Sequence, residues 1–417
     1  MAHLAVCLAA SLVAGVGLGG CAAQRPSLTP RQLGELREHE VQQLRTEVVV
    51  LSAKVVRRMQ AEQDEAEAAR ARGETPEPPT LDVLAISGGG DWGAFGAGVL
   101  RGWRKLQGAD AMPQFDVVTG VSTGALIAPF AFLGDDSSIE QIVNLYSNPR
   151  DSWIELRDLF VFLPWRQSFM STEGLRGDVE AQLSPEMIQR IAGEAAKGRS
   201  LLIGTTNLDL GTTRVWRLGE ETRRVSSAED AERVYDILMA SAAIPGVFPP
   251  VVIDGALYVD GGVTSNVLLG ANLRADESIV GSWRRTFPGR PMPRMRFWII
   301  VNNTLADEPS IVKPTWPSIT SKSLLVSTRS ATRAMLQAFL LQAELLRRTE
   351  GVEIEARFLQ VPDDFKPPVE GSFQAPTMRE LVRLGEELGS DPQNWRTALR
   401  QYEAREIPSD EPAQSGR

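Results

Sequence analysis

Apolar and polar positions change period several times along the chain, and each change predicts an element. Over residues 30–72, Val41, Leu44, Val48, Leu51 and Val55 recur at steps of three and four, with Glu and Arg between them. That is one face of a helix, and two heptads are too few for firm self-association. The expectation is a helical stalk, packed on a folded body or standing off it, with a dimerisation helix as the lesser alternative. Residues 73–79, rich in Gly, Pro and Glu, read as a linker. The apolar run of residues 81–86 then predicts a strand. It enters the turn Ser87-Gly88-Gly89-Gly90-Asp91-Trp92-Gly93, and a helix follows on Phe95, Val99, Trp103 and Leu106. A second strand at 115–118 leads into Gly120-Val121-Ser122-Thr123-Gly124 and another helix. Asp209-Leu210-Gly211 between two β-like runs predicts a hairpin. A helix of small residues ends near Ile244-Pro245-Gly246. Strands at 251–253 and 256–259 flank a turn at Asp254-Gly255, the second reaching Asp260-Gly261-Gly262. Later strands at 296–301 and 352–358 enclose a long amphipathic helix over about 318–348. A last helix covers about 377–402. Strands alternating with helices predict an α/β fold with a mostly parallel sheet.

The two glycine turns carry the chemistry. Glycines after a strand and before a helix let backbone N–H groups face outward at a helix N-terminus, a setting that suits an anion or an oxyanion. In the second turn, glycines on either side of Ser122 fit a nucleophile elbow, where a strained strand-to-helix turn presents a hydroxyl at the sheet edge. A lone G-x-S-x-G is common by chance, but one that follows a glycine nest by about thirty residues is far rarer. Gly88-x-Gly90-x-x-Gly93 also satisfies a dinucleotide fingerprint, yet no acidic residue ends the next strand, which runs through Val117-Val118-Thr119 into the elbow. Asp260 stands where a strand ends in glycines, a usual place for functional groups in α/β sheets. Gly96, Gly98 and Gly102 are costly in a helix and imply close packing, expected against the sheet.

The only histidines are His3 and His39, so the body from Thr80 onward contains none. A Ser-His-Asp triad is excluded unless the stalk folds back, which leaves Lys or a carboxylate to activate Ser122. A net charge of −9 and a pI near 5.1 disfavour nucleic-acid partners. Both cysteines, Cys7 and Cys21, lie at the extreme N-terminus, so the body has neither a disulfide nor a thiolate metal cluster. Residues 4–20 form an uncharged apolar run, short for a membrane span, that ends in Leu18-Gly19-Gly20-Cys21. The tetrapeptide resembles a bacterial lipobox. It implies a signal peptide over 1–20, lipidation of Cys21 and anchorage in the bacterial cell envelope, at the outer membrane because Ala22 replaces the aspartate of inner-membrane retention. An ordinary signal peptide cut elsewhere is the other reading. Trp153, Phe160, Phe162, Trp165 and Phe169 crowd one stretch, which reads as a buried subcluster or as an acyl pocket or lid.

Gly88-Gly89-Gly90 with Gly93, Gly120-Val121-Ser122-Thr123-Gly124 and Asp260-Gly261-Gly262, in this order, resemble the three signatures of the patatin-like phospholipase family. Residues 240–250 resemble the family's segment before its aspartate. The resemblance covers about residues 81–266 and implies a three-layer α/β/α fold with a lipid acyl hydrolase activity that needs no metal or other cofactor. It makes Ser122 the nucleophile and Asp260 the base, with Gly88, Gly89 and Gly90 in the oxyanion-hole loop. Trp92 departs from the Arg or Lys common at its place, which bears on substrate polarity. The organisation expected is a signal peptide at 1–20, a stalk and linker at 21–79, a catalytic domain at 80–405 and a disordered tail at 406–417. The expected partners are a lipid or acyl-ester substrate and a membrane reached by the N-terminal anchor. A catalytically silent lipid-binding scaffold on the same fold is the alternative function.

Overall fold

The strands expected around the glycine turns assemble into one sheet in the computed structural model, which describes residues 27–156, 168–270, 278–306 and 309–397. In chain order the strands of the described residues are β1 (Thr80–Ile86), β2 (Val117–Val121), β3 (Glu155–Leu156), β4 (Met170–Ser171), β5 (Ser200–Asn207), β6 (Thr212–Trp216), β7 (Val251–Ile253), β8 (Ala256–Asp260), β9 (Arg294–Val301) and β10 (Ile354–Gln360). The main sheet runs β10-β9-β1-β2-β5-β8-β7, with β6 also paired to β5 and β3–β4 a separate ribbon. The five strands from β10 to β5 are parallel, whereas β6, β8 and β7 are antiparallel. Central strands read as nearly unbroken apolar runs because helices cover both faces. Asp82 is the polar exception within β1. It is held by both arms of Arg296, at 2.8 and 2.7 Å, and by the Trp298 indole at 2.8 Å, as a buried charge must be.

On one face the helices Gly93–Trp103, Thr123–Leu133, Asp136–Ser147, Pro185–Ala196, Ala228–Ser241 and Ala375–Gly389 build a core on Phe95, Ile127, Phe130, Ile142, Leu238 and Leu381. On the other, the helices Pro30–Ala71, Ile279–Thr286 and Trp316–Glu350 bury Val55, Met59, Trp283, Leu336 and Phe339 against Val83, Phe297 and Ile299. The result is α/β/α. The helix Pro30–Ala71 packs on the body through Val55, Val56 and Met59, and charge pairs fasten it: Arg58 to Asp116 at 2.5 Å and Lys54 to Glu220 at 2.9 Å. Its stripe of Val41, Leu44, Val48, Leu51 and Val55 borders a cavity of about 460 Å³ together with Val83, Leu202 and Phe339.

Two expectations change. The helix glycines do not meet the sheet. A methyl at Gly98 would lie 2.1 Å from the Val382 carbonyl, and one at Gly385 would lie 2.1 Å from that of Phe95, so the helices Gly93–Trp103 and Ala375–Gly389 touch backbone to backbone. Gly96 abuts Asn302 instead. The last helix also stops at Gly389 rather than near 402, because Pro392, three residues on, cannot continue it. The tail expected at 406–417 lies outside the described residues.

Candidate active site

β2 ends at Val121, and the next residue, Ser122, takes φ 54° and ψ −127°. A non-glycine residue rarely adopts such a backbone, and it persists only where its surroundings over-determine it. Here they do. A Cβ at Gly120 would stand 2.4 Å from the Gly124 carbonyl oxygen, and one at Gly124 would stand 2.3 Å from that of Ile86, so neither position admits a side chain. The Ser122 N–H donates to the Ser241 hydroxyl at 2.9 Å, which in turn donates to the Gly204 carbonyl at 2.6 Å. Ser122 then opens the helix Thr123–Leu133, accepting at its carbonyl from Ala125 at 2.8 Å.

Sheet register brings Asp260 to it. Val121 pairs with Gly204 and Thr205 with Asp260, so Ser122, Thr205 and Asp260 fall in one row across β2, β5 and β8. Because β8 runs antiparallel to β5, Asp260 reaches the site by register rather than by ending a parallel strand. The turn Asp254-Gly255, both residues at positive φ, sets that register as a two-residue hairpin. Gly261 is required by space, since a methyl there would lie 2.5 Å from the Gly204 carbonyl. Asp260 Oδ1 accepts from the Gly262 N–H at 2.7 Å. Oδ2 is buried without a hydrogen-bond partner, so the Ser122 hydroxyl, although it acts on the carboxylate, meets it outside ordinary hydrogen-bond geometry, as resting dyads often do. Burial pushes Asp260 up to about 6, with the Ser122 hydroxyl and the Gly262 N–H pulling in the opposite direction. A carboxylate so placed can take a proton near neutral pH.

The first glycine turn lies against this pair. A Cβ at Gly88 would meet Asn266 Oδ1 at 2.4 Å and Ser122 Cβ at 3.0 Å. The Gly88 N–H donates to the Asn266 carbonyl at 3.2 Å. Gly89 is pressed on the Asn302 carbonyl, and Gly90 takes φ 62°. Among the described residues the Gly89 and Gly90 N–H groups have no partner, so both are available to an anion beside Ser122. Asn302 braces the loop by donating its backbone N–H to the Ser87 hydroxyl at 2.8 Å and its amide to the Ser87 carbonyl at 2.9 Å. Trp92 packs edge-on against Phe365, 5.4 Å between centroids, an apolar anchor in place of a cation.

A cavity of about 30 Å³ opens at Ser122, walled by Gly90, Leu126, Leu145, Trp153, Phe248 and Phe373 among others. That holds roughly one water, so an acyl chain needs these walls to part. Phe373 sits at φ 58° and donates its N–H to the buried Asp91 carboxylate at 2.8 Å. Of the aromatic stretch, Trp153 is in the wall, its indole donating to Asp178 at 2.6 Å. Phe160, Phe162 and Trp165 lie outside the described residues, as does Cys21. His39 is exposed on the N-terminal helix and is absent from the cavity wall. Sequence reasoning missed Ser241, Asn266 and Asn302 as supports. Only Asn302, directly after the end of β9, had a position that could have flagged it.

A family model described as "Patatin-like phospholipase" matches residues 84–272. The chain is 42% identical over 65 residues to a cUMP-AMP-activated phospholipase of Escherichia coli, covering 16% of this chain and 20% of that protein. It is 25% identical over 190 residues to a cGAMP-activated phospholipase of Pseudomonas aeruginosa, covering 45% and 54%. The chain thus spans about half, or less, of the length of these curated relatives. Among solved structures, VipD from Legionella pneumophila aligns with a TM-score of 0.37 and 14% identity, over 76% of this chain and 66% of that one.

Proposed function

We propose that this protein, whose residues 84–272 match a patatin-like phospholipase model, is a lipid acyl hydrolase working through a Ser122–Asp260 dyad. The observation that carries the reading is the buried, half-unsatisfied Asp260 carboxylate in the same sheet row as a strained, glycine-flanked Ser122. In the acylation step Ser122 Oγ attacks the ester carbonyl while its proton passes to Asp260. The carbonyl oxygen gains charge against the Gly89 and Gly90 N–H groups, and the alcohol leaves with the proton that Asp260 returns. Water, deprotonated by the same carboxylate, attacks the acyl-enzyme carbonyl, and the acyl–Oγ bond breaks as Asp260 returns the proton to Ser122 Oγ, releasing the fatty acid. The apolar wall of Leu126, Leu145 and Phe248 suits the acyl side of the ester. The names of the two relatives make glycerophospholipids the first esters to try. Purified protein is expected to release free fatty acid from mixed phospholipids, and Ser122→Ala to release none. Equal release by both would refute the reading, and release by neither would favour a silent lipid-binding scaffold.

We propose separately that the protein is tethered in the bacterial cell envelope through Cys21. Its support is the tetrapeptide Leu18-Gly19-Gly20-Cys21. Cys21→Ser is expected to shift the protein from the membrane to the soluble fraction with hydrolysis of soluble esters intact. A mature N-terminus several residues beyond Cys21 would refute the tether.

A further inference from the structure

The helix Trp316–Glu350 buries nothing before Thr332. Its first sixteen residues, about 24 Å of helix, are exposed on one side and half-buried on the other at Leu324, Leu325, Thr328 and Arg329. Ile311 is fully exposed, and Trp316 and Ile319 are 54% and 50% exposed. Large apolar side chains gathered on an open face mark a contact surface rather than ordinary surface scatter.

The charge there runs against the rest of the molecule. The chain carries 53 acidic residues and a net charge of −9, yet from Pro309 to Ala343 it has no Asp or Glu, between Asp307-Glu308 on one side and Glu344 on the other. Cations remain in that window: Lys313, Lys322, Arg329 and Arg333. The chain has six lysines. Lys54, Lys105 and Lys197 are ion-paired with Glu220, Glu386 and Glu194. Among the described residues, Lys313 and Lys322 pair with no carboxylate, and both are in this window. Lys313 and Lys322 beside exposed Trp and Ile match an anionic lipid interface, where headgroups take the charge and the interfacial zone takes the rings. A protein partner would be expected to find some acidic groups to pair as well.

The surface is connected to the site. Trp316 packs on Phe169 at 5.5 Å, and the Phe169 N–H donates to the Gly246 carbonyl, between the wall residues Ile244 and Phe248. At the other end of the open stretch, the Thr332 hydroxyl accepts from Asn266 at 3.0 Å, the residue whose carbonyl receives the Gly88 N–H.

We propose that the open half of the helix Trp316–Glu350, with Ile311 and Lys313 before it, is a docking surface for an anionic membrane. It is separate from any lipid on Cys21, and it does not depend on which residue performs the chemistry. The test is co-sedimentation of the full chain, carrying Cys21→Ser to remove the anchor and Ser122→Ala to spare the lipid. The vesicles are phosphatidylcholine alone, or phosphatidylcholine with about a third phosphatidylglycerol. Binding should require phosphatidylglycerol and weaken with salt. Lys313→Gln with Lys322→Gln should lower affinity by roughly 30-fold, near tenfold or less for each charge. Ile311→Ser with Ile319→Ser, both exposed and so safe for folding, should also weaken it. Equal binding to neutral vesicles, no binding at all, or unchanged binding by both double variants would overturn the proposal. So would a concentration-dependent dimer that Ile311→Ser with Ile319→Ser dissolves, which would make a second copy the occupant. Because binding is read in a Ser122→Ala background, none of these outcomes can be confused with failure of the dyad.

Discussion

Asp260→Asn is expected to lower turnover by about 10²-fold or more, the low end for losing a positioned general base, and at the same time to make the protein more stable above pH 6. Both follow from one geometry. Asparagine can still accept the Gly262 N–H at the position where Oδ1 does so now, but it cannot take the Ser122 proton. The stability sign comes from the raised pKa. The folded carboxylate titrates at about 6 rather than 3.8, so folding favours its protonated form. That contribution is fully present below 3.8 and is lost as pH rises through 6, after which the buried charge costs about 3 kcal/mol relative to low pH. Asparagine carries no charge to desolvate, so the variant should melt higher than wild type above pH 6 and lose that advantage in acid. Wild-type turnover should in turn rise with pH through about 6 as the base ionises. Steady-state kinetics and thermal melts across pH check both. A variant retaining more than about a third of wild-type turnover would show that Asp260 only caps its turn, which aspartate before glycine often does. His39→Ala should leave turnover unchanged.

Gly89→Ala is expected to cost about 10²–10³-fold in turnover, the loss seen when an oxyanion donor is displaced. The reason is space rather than torsion, because the Gly89 φ of 169° is extended backbone open to any residue. The added methyl would stand 2.1 Å from the Asn302 carbonyl oxygen, a backbone atom fixed by β9 and by two hydrogen bonds to Ser87. The loop must give way, and the Gly89 and Gly90 N–H groups move with it. The effect should fall mainly on kcat, since the donors act on charge that appears only in the transition state. A variant that loses affinity for substrate at unchanged kcat would place the oxyanion donors elsewhere. Gly90→Ala offers a contrast: open space surrounds that position, and its φ of 62° makes the penalty torsional.

Much of this was legible in the sequence because it is written in local rules. Glycines at Gly120, Gly124 and Gly261 are demanded by contacts within a turn or across one strand, and the β2 and β8 runs that carry Ser122 and Asp260 have strand periodicity. What was not legible depends on which elements meet. The antiparallel sense of β8, which aligns Asp260 with Ser122 through β5, is a property of the whole sheet. The pairing of Gly98 and Gly102 with the helix Ala375–Gly389 joins residues nearly three hundred positions apart. Ser241, which fixes the Ser122 backbone, has nothing in its neighbourhood to separate it from any other helical serine until β5 supplies the Gly204 carbonyl. The apolar stripe on the N-terminal helix was plain, but its destination was not, since the same period serves a free stalk or a helix laid on a sheet.

The central claim is that Ser122 is a nucleophile activated by Asp260, and the most direct measurement is labelling of the purified protein with a fluorophosphonate, mapped by peptide mass spectrometry. The account predicts a single adduct on the peptide containing Ser122, formed far more slowly in Asp260→Asn and absent in Ser122→Ala. An adduct on another serine, or labelling of Ser122 at an undiminished rate in Asp260→Asn, would contradict it.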